Sequence, residues 1–213
     1  MKLNNKRTIL VGLAFLSICA FWQMYDSIVP LILTKTFHMN GTYSGAIMAA
    51  DNILALFLLP FFGSLSDRSH SKIGKRMPFI LFGTGCAIIL MNILPLLDNS
   101  YAAQPSGFKT ASFVIVLGLL LVAMGTYRAP AVALMPDVTP KPLRSRANAI
   151  INLMGAVGGS LYLGVAAVLY PNSKTAGLDH VNYQPLFIVV SAIMFVAVAV
   201  LFLTIREPKL TAE

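Results

Sequence analysis

The sequence predicts an all-α membrane protein with six transmembrane helices, and three observations support this fold class. Hydrophobic residues make up 57% of the 213-residue chain and charged residues only 11%, whereas soluble domains carry about 25% charged residues. The apolar residues form six long runs, and a helix needs about 20 of them to cross a bilayer. The connections between the runs are short and hold most of the charged residues.

The apolar runs place the spanning helices at about 8–33, 43–65, 78–97, 112–135, 147–170 and 186–206. Helices are expected because each unpaired backbone group costs several kcal/mol in lipid. Lys2, Lys6 and Arg7 before the first run resemble the start of a signal peptide. However, that run is far longer than the usual ~7–15 apolar residues, so we interpret it as an uncleaved first span.

The distribution of lysine and arginine predicts the orientation. Twelve of the 16 basic residues fall at the N-terminus, in the even-numbered connections and at the C-terminus, three fall on the opposite side, and Arg128 lies within a span. Because cytoplasmic loops are enriched in Lys and Arg, we expect both termini to lie in the cytoplasm. We expect the protein to lie in the plasma membrane. Spans 1–3 and 4–6 then have opposite orientations, as in the inverted repeats of many secondary transporters.

Several other classes of function are not supported. The formal charge of +8 and the pI near 9.7 would suit nucleic-acid binding on one basic face, but the basic residues lie in short clusters between apolar runs. Cys19 and Cys86 fall inside apolar runs, which argues against a disulfide framework or a metal site. We expect His38, His70 and His180 to be solvated loop residues. No nucleophile–base pair is apparent, so the sequence predicts neither an enzyme nor a cofactor.

Three charged residues within the spans are candidates for a central site: Asp26, Asp51 and Arg128. An ionised side chain at the bilayer centre costs about 2.5–3.5 kcal/mol on insertion scales, so such residues usually face the bundle interior or a water-filled cavity. Pro30 and Pro130 each follow one of them closely. A proline frees the carbonyl four residues earlier, which would add polar groups beside the charges.

Aromatic residues flank Asp26. Trp22 lies one helical turn away on the same face, and Tyr25 is adjacent. A ring beside a carboxylate suits sugar binding, because the ring covers the C–H face while the acid accepts from hydroxyls. Alternatively, these rings only pack or anchor the helix at the membrane interface. Asn52 and Tyr127, next to charged positions, are weaker candidates.

The connection between spans 2 and 3 is a charged loop in which glycines occupy particular positions. We expect Gly63 to allow a close helix approach and Gly74 a tight turn. Asp67 ends span 2, where it can pair with basic residues or cap a neighbouring helix N-terminus. Such a charged cluster can stabilise one conformation through its ion pairs, which break in another conformation.

Two segments resemble known motifs. Residues 63–76 resemble the Gly-x-x-x-Asp-Arg-…-Gly-Arg/Lys-Arg/Lys loop of the major facilitator superfamily, and the spacing with the following Pro-Phe-Ile is similar to its sucrose-transporter and glycoside–pentoside–hexuronide cation symporter branch. Residues 127–149 resemble the Arg-Ala…Asp…Arg-x-Ala-Asn-Ala pattern of the same branch.

The resemblance implies a carrier that moves a sugar or glycoside together with a cation by alternating access. It places Asp26 and Arg128 in the central cavity and implies a cytoplasmic gate formed by Gly63, Asp67, Arg68, Gly74, Lys75, Arg76, Asp137 and Arg146. Sodium-coupled melibiose-type members carry acidic residues where this sequence has Ala55 and Leu59. That departure favours H⁺ over Na⁺ as the coupling ion, because a desolvated carboxylate can exchange protons near neutral pH.

Members of this superfamily have twelve spans in two six-helix halves. We therefore expect this chain to be the N-terminal bundle, with the C-terminal half absent, and to need a second half or a homodimer for function. The expected partners are membrane lipid and a small solute, and not nucleic acid. Two alternatives stay open: a lysolipid or amphiphile symporter of the same branch, and a truncated membrane protein that does not transport.

Overall fold

The computed structural model describes residues 4–205, apart from the side chain of Asn172. Within that range six helices are long and apolar enough to cross a membrane, which confirms the predicted number of spans. The protein is thus a multi-pass membrane protein. The six helices are α1 (Asn5–Leu31), α2 (Gly41–Asp67), α3 (Met77–Ala103), α4 (Gly107–Asp137), α5 (Arg144–Leu169) and α6 (Gln184–Thr204).

Short elements join these helices. A π-helical segment, Ile32–Thr36, continues α1 just after Pro30, and proline is a common cause of local irregularity in a helix. A 3₁₀ turn, Lys141–Leu143, precedes α5, and a single helical turn, Asn172–Thr175, lies between α5 and α6.

Local sequence explains where several helices begin. The side chains of Asn4 and Asn40 accept hydrogen bonds from the backbone N–H groups of Arg7 and Thr42, as N-cap residues do. Proline stands in the first turn of α3 and of α6, where its missing N–H costs nothing. The helices extend beyond most of the predicted bounds because polar first and last turns lower hydropathy without ending the hydrogen-bond pattern.

The packing follows the expected internal repeat. Helix α1 packs against α5 and α6, while α4 packs against α2 and α3, and α3 also contacts α6. Exchanging spans 1–3 with spans 4–6 converts the α1–α5 pair into α2–α4 and the α1–α6 pair into α3–α4, and it leaves the α3–α6 pair unchanged. The bundle therefore has the architecture of two inverted three-helix repeats.

Glycines bring two of these helix pairs into close contact. A Cβ on Gly158 of α5 would collide with the backbone of Leu16 in α1. A Cβ on Gly83 of α3 would lie 2.6 Å from the backbone nitrogen of Tyr127 in α4. Small residues at membrane helix interfaces allow this approach, and dispersion contacts between the backbones then stabilise the pair.

Two predictions about polar residues are wrong. His180 is not a solvated loop residue, because its side chain is only 29% exposed and hydrogen-bonds to other segments. The third span does not end near residue 97, since α3 continues to Ala103. Asp98 therefore becomes a fourth charged residue within a spanning helix, and it is fully buried.

Candidate functional site

A small cavity lies where α1, α2 and α4 meet. Its polar lining comes from Trp22 of α1, Asp51 of α2 and Arg128 of α4, and the other lining residues are Leu54, Ala55, Leu58, Leu59, Leu121 and Gly125. The volume of about 20 Å³ suits about one water molecule. The fold thus brings together three of the residues that the sequence suggested, but in a space too small for a sugar in this conformation.

The guanidinium of Arg128 lies over the ring of Trp22, with Cζ 5.5 Å from the ring centroid. This cation–π contact attracts the guanidinium to the negative face of the ring. Among residues 4–205, no carboxylate lies within ion-pair distance of Arg128 and no group forms a hydrogen bond with it. All five of its N–H donors are therefore available to a ligand.

The two acidic candidates lie on neighbouring helices. Asp51 is half-buried, and its Oδ1 accepts hydrogen bonds from the backbone nitrogen of Asn52 at 2.6 Å and from the Asn52 side-chain nitrogen at 2.8 Å. Asp26 is exposed and close enough to Asp51 for their charges to interact. With Arg128, the two carboxylates give this region a net charge of −1, which one bound proton would neutralise.

Two buried polar groups on α1 lack partners. Neither the indole nitrogen of Trp22 nor the hydroxyl of Tyr25 has a hydrogen bond to any described residue. The two rings contact each other edge to face, with centroids 5.3 Å apart. A buried donor without a partner costs about 1–3 kcal/mol, and such groups mark places where a water or a ligand would be accommodated.

Tyr127, suggested as a weaker binding residue, does not line the cavity. It is fully buried, and its hydroxyl hydrogen-bonds to the Ser17 hydroxyl at 2.6 Å and donates to the Ala14 carbonyl at 3.1 Å. The side chain therefore joins α4 to α1. Asn52 is also outside the cavity lining, because it is exposed and bonded to its neighbour Asp51.

Arg76 organises a charged cluster at the end of the bundle where α2 and α4 terminate. This residue is nearly buried, and its guanidinium pairs with Asp67 and, at 3.0 Å, with Asp137. It also donates to the Ser66 hydroxyl at 2.6 Å and to the Gly63 carbonyl at 3.3 Å. Buried arginine is stable here because two carboxylates and two further acceptors compensate its charge.

Other residues suggested for the gate differ in their contacts. The Lys75 ammonium group lies 3.4 Å from Asp137 Oδ2. Gly74 has a positive φ of 115°, which favours glycine at this turn. Arg68 and Arg146 are exposed and have no ion-pair partner in the described part of the chain. The expected close helix approach at Gly63 is wrong, since a Cβ there would meet nothing within 4 Å. Its contribution is the carbonyl that accepts from Arg76.

Two further arginines hold the same end of the bundle, and their partners could not be predicted from the sequence because these are backbone carbonyls. Arg7 of α1 donates to the Val138 carbonyl at 2.7 Å. Arg144 donates to the carbonyls of Pro136 at 2.7 Å and Thr139 at 3.2 Å. Together they tie the starts of α1 and α5 to the end of α4.

A family model described as Major Facilitator Superfamily matches residues 11–213. The chain belongs to this superfamily. It is a family of membrane transporters rather than enzymes, and the match agrees with the six membrane-length helices described above.

Relatives within the family include proteins of different specificity. The chain is 33% identical over 158 residues to the sucrose transport protein SUC3 of Arabidopsis thaliana, covering 68% of this chain and 26% of that protein. It is 31% identical to the sucrose transport protein SUT3 of Oryza sativa, covering 62% and 27%. It is 26% identical to the alpha-ketoglutarate permease of Escherichia coli, covering 83% and 38%. The chain thus spans well under half the length of these relatives.

Proposed function

We propose that this chain is the N-terminal six-helix half of a sugar or glycoside symporter that couples to protons and works by alternating access. The observation that carries the proposal is the convergence of Trp22, Asp51 and Arg128 from three helices on one cavity, beside Asp26. Ionised residues within spans are costly and usually mark a transport pathway. The similarity to sucrose transport proteins supports a sugar as the solute.

In this proposal Arg128 and Asp51 bind the solute directly. The guanidinium donates to sugar hydroxyls, and the carboxylate accepts from them. Arg128 covers one face of the Trp22 ring, so a sugar cannot stack on that face without displacing it. Trp22 therefore holds Arg128 in place and offers its unpartnered indole N–H to the solute.

The charge balance of the site supports proton coupling. When all three are ionised, Asp26, Asp51 and Arg128 together carry a formal charge of −1. One bound proton makes the site with its solute electrically neutral. A neutral site lowers the free energy of the intermediate conformation in which the site is closed to water on both sides. Ala55 and Leu59 border the same cavity and provide no carboxylate for a sodium ion.

The remaining parts of the proposal concern the assembly. The Arg76 cluster would be the cytoplasmic gate, held closed by Asp67 and Asp137 and opened when these pairs separate. The enrichment of Lys and Arg in the even-numbered connections supports a cytoplasmic location for both termini, and we propose the plasma membrane as the location. The cavity would reach the size of a sugar only against a second six-helix half or a second copy of this chain.

Binding can be tested with the fluorescence of Trp22, because the chain contains one tryptophan. Titrating the chain in lipid nanodiscs with a panel of glycosides should change the Trp22 emission. The replacement Arg128→Gln should weaken binding by about 100-fold, since hydrogen bonds to a charged group contribute ~1.5–3 kcal/mol. Arg128→Lys should restore only part of the affinity, because a lysine lacks the planar fork.

Lys174→Gln is the matched control, because this residue is exposed on the connection between α5 and α6. Proton-driven uptake into vesicles, with the chain alone and co-expressed with a second six-helix half, tests transport. Asp51→Asn should abolish uptake in whichever assembly is active. Uptake that survives both Arg128→Gln and Asp51→Asn would contradict the site assignment.

A second candidate solute is an organic carboxylate. Arg128 has no carboxylate partner among the described residues, and a guanidinium readily forms two parallel hydrogen bonds to a carboxylate. The similarity to alpha-ketoglutarate permease favours the same class. Including dicarboxylates and lysolipids in the panel separates these alternatives, since only a sugar site should bind neutral glycosides in preference to both.

A further inference from the structure

The end of the bundle opposite the Arg76 cluster contains a buried carboxylate. Asp98 of α3 is 0% exposed, and neither of its oxygens has a hydrogen-bond partner among the described residues. The imidazole Nδ1 of His180, from the segment before α6, lies 3.8 Å from Asp98 Oδ2. An isolated ionised carboxylate in such a place is strongly unfavourable unless a positive charge or a proton compensates it.

The proton on the other imidazole nitrogen is fixed by a chain of hydrogen bonds. The backbone N–H of Gln184 donates to Asn182 Oδ1 at 3.0 Å. Because that atom must be an oxygen, Asn99 turns its Nδ2 toward it, at 2.9 Å. Asn99 Oδ1 then faces His180 Nε2 at 2.9 Å, and only a protonated Nε2 can donate to it.

The remaining nitrogen of His180, Nδ1, therefore faces Asp98 with its protonation open. The Thr36 hydroxyl lies 3.2 Å from Nδ1 and is adjacent to Asp98. Its single proton can serve only one of these two acceptors at a time. One further proton, on Nδ1 or on the carboxyl group, makes the pair of residues electrically neutral. Without it, the buried pair would carry a full negative charge.

We propose that Asp98 and His180 together bind one proton at neutral pH, at a site separate from Asp26 and Asp51, and that this proton keeps residues 176–183 docked on α3. The site joins three parts of the bundle: α3, the π segment after α1 through Thr36, and the segment that leads into α6. Loss of the proton leaves a buried negative charge and favours separation of that segment, so that water reaches Asp98. This site does not depend on the identity of the solute.

The other titratable groups nearby do not replace this proton. Tyr183, next to α6, is affected by the charge of Asp98: burial raises the pKa of the Tyr183 hydroxyl, and the carboxylate raises it further. The phenol is therefore neutral at physiological pH. Lys109 of α4 uses its ammonium group on the carbonyls of Ser100 and Gln104, at 2.7 and 2.9 Å. Among residues 4–205, His180 is the basic side chain that lies within ion-pair distance of Asp98.

The test is the pH dependence of unfolding, measured on the full 213-residue chain in micelles titrated with a denaturing detergent. In the unfolded chain a histidine loses its proton near pH ~6.5 and an aspartate near ~3.9. The folded pair keeps its proton to higher pH, so stability is fully present below about pH 6.5 and falls as the pH rises. The unfolding equilibrium constant should increase by up to about tenfold per pH unit between about pH 7 and 9.

Asp98→Asn should remove this slope, because the amide needs no proton to stay neutral. Asp179→Asn is the matched control: its carboxylate is exposed in the same segment, and its slope should equal that of the unchanged chain. His180→Gln provides a second test if Asp98→Asn does not fold. With the glutamine, only Asp98 can hold the proton, so the loss of stability should begin near pH ~4. Equal slopes with and without Asp98→Asn, or an onset unchanged by His180→Gln, would overturn the proposal.

Discussion

The helix pairs α1–α5 and α2–α4 are equivalent in the internal repeat, yet they pack in different ways. Helix α5 packs along α1, with Gly155 and Gly158 in close contact with it, and its buried residues are Ala147, Ile151, Gly155, Gly158 and Tyr162. Helix α2 buries only Ser44 and Ser66, one near each end. Between its ends α2 reaches α4 through side chains, with Leu58 Cβ 3.2 Å from the position of a Cβ on Gly125.

This difference shows what the repeat determines and what it leaves to the individual residues. The repeat determines which helices are neighbours, whereas side-chain size determines how closely they approach. Helices α1 and α5 approach to backbone contact at Gly158, while side-chain contact between α2 and α4 leaves the cavity beside Asp51, Trp22 and Arg128. We infer that the loosely packed pair is the one that rearranges to admit a solute.

The largest expected effect is on the tightly packed pair. In Gly158→Ala the new methyl group would overlap the Leu16 backbone, which cannot rotate away as a side chain can. Overpacking typically costs 1–3 kcal/mol and occasionally more, so we expect the free energy of unfolding to fall by about 3 kcal/mol. Denaturing-detergent titration in micelles measures this change.

Gly164→Ala is the matched control on the same helix, because a Cβ at Gly164 would meet nothing within 4 Å. The same glycine-to-alanine change there should be neutral or stabilising, by up to about 1 kcal/mol. If the two variants had equal stability, backbone contact between α1 and α5 would not be what holds this pair.

An intermediate effect is expected at the contact between α1 and α4, which joins the tight and loose regions. Tyr127→Phe removes the hydrogen bonds to Ser17 and the Ala14 carbonyl in a fully buried place. The expected loss is about 1–2 kcal/mol, close to the net contribution of a buried hydrogen bond and its unsatisfied partner. The free energy of unfolding in the same micelles measures it.

Tyr101→Phe is the control for this deletion. The Tyr101 ring packs on Phe37, with centroids 4.4 Å apart, so removal of its hydroxyl leaves that contact intact. We expect a change below about 0.5 kcal/mol. A larger loss for Tyr101→Phe than for Tyr127→Phe would mean that the α1–α4 hydrogen bonds contribute little.

The spans could be predicted from the sequence because hydropathy over about 20 residues follows directly from the solvent. The contacts of Asp67 with Arg76 also followed a visible pattern, a charged loop with turn residues. Asp98 was missed because the polar residues 98–100 lower the local hydropathy, although the helix continues through them. His180 was misinterpreted because its partners, Asn99 and Thr36, are distant in the chain.

The residues that line the cavity were only partly predictable, because this lining also depends on contacts between segments that are distant in the chain. Periodicity places Trp22 and Asp26 on one face of α1, but the neighbouring helix decides which of them meets Arg128. The structure places Arg128 against Trp22 and leaves Asp26 exposed. The rotation of α1 about its axis depends on the helices that it packs against, α5 and α6, and these lie far from α1 in the sequence.

The smallest effect on stability is expected in the loose pair, at Gly125→Ala. The nearest atoms to a new Cβ are Leu58 Cβ at 3.2 Å and Cδ1 at 3.4 Å, followed by Phe62 Cδ2 at 3.8 Å. These atoms belong to side chains, so a shift of a few tenths of an ångström relieves the contact, and we expect the free energy of unfolding to fall by less than about 1 kcal/mol.

Solute binding, followed by Trp22 fluorescence, should weaken more in Gly125→Ala than stability does, because Leu58 and Gly125 both border the cavity. Gly118→Ala is the control on the same helix, because a Cβ at Gly118 would meet nothing within 4 Å. It should leave binding unchanged and be neutral or stabilising by up to about 1 kcal/mol. A loss of stability at Gly125→Ala as large as at Gly158→Ala would show that α2 is packed as tightly as α5, and the proposed division between a fixed and a movable pair would fail.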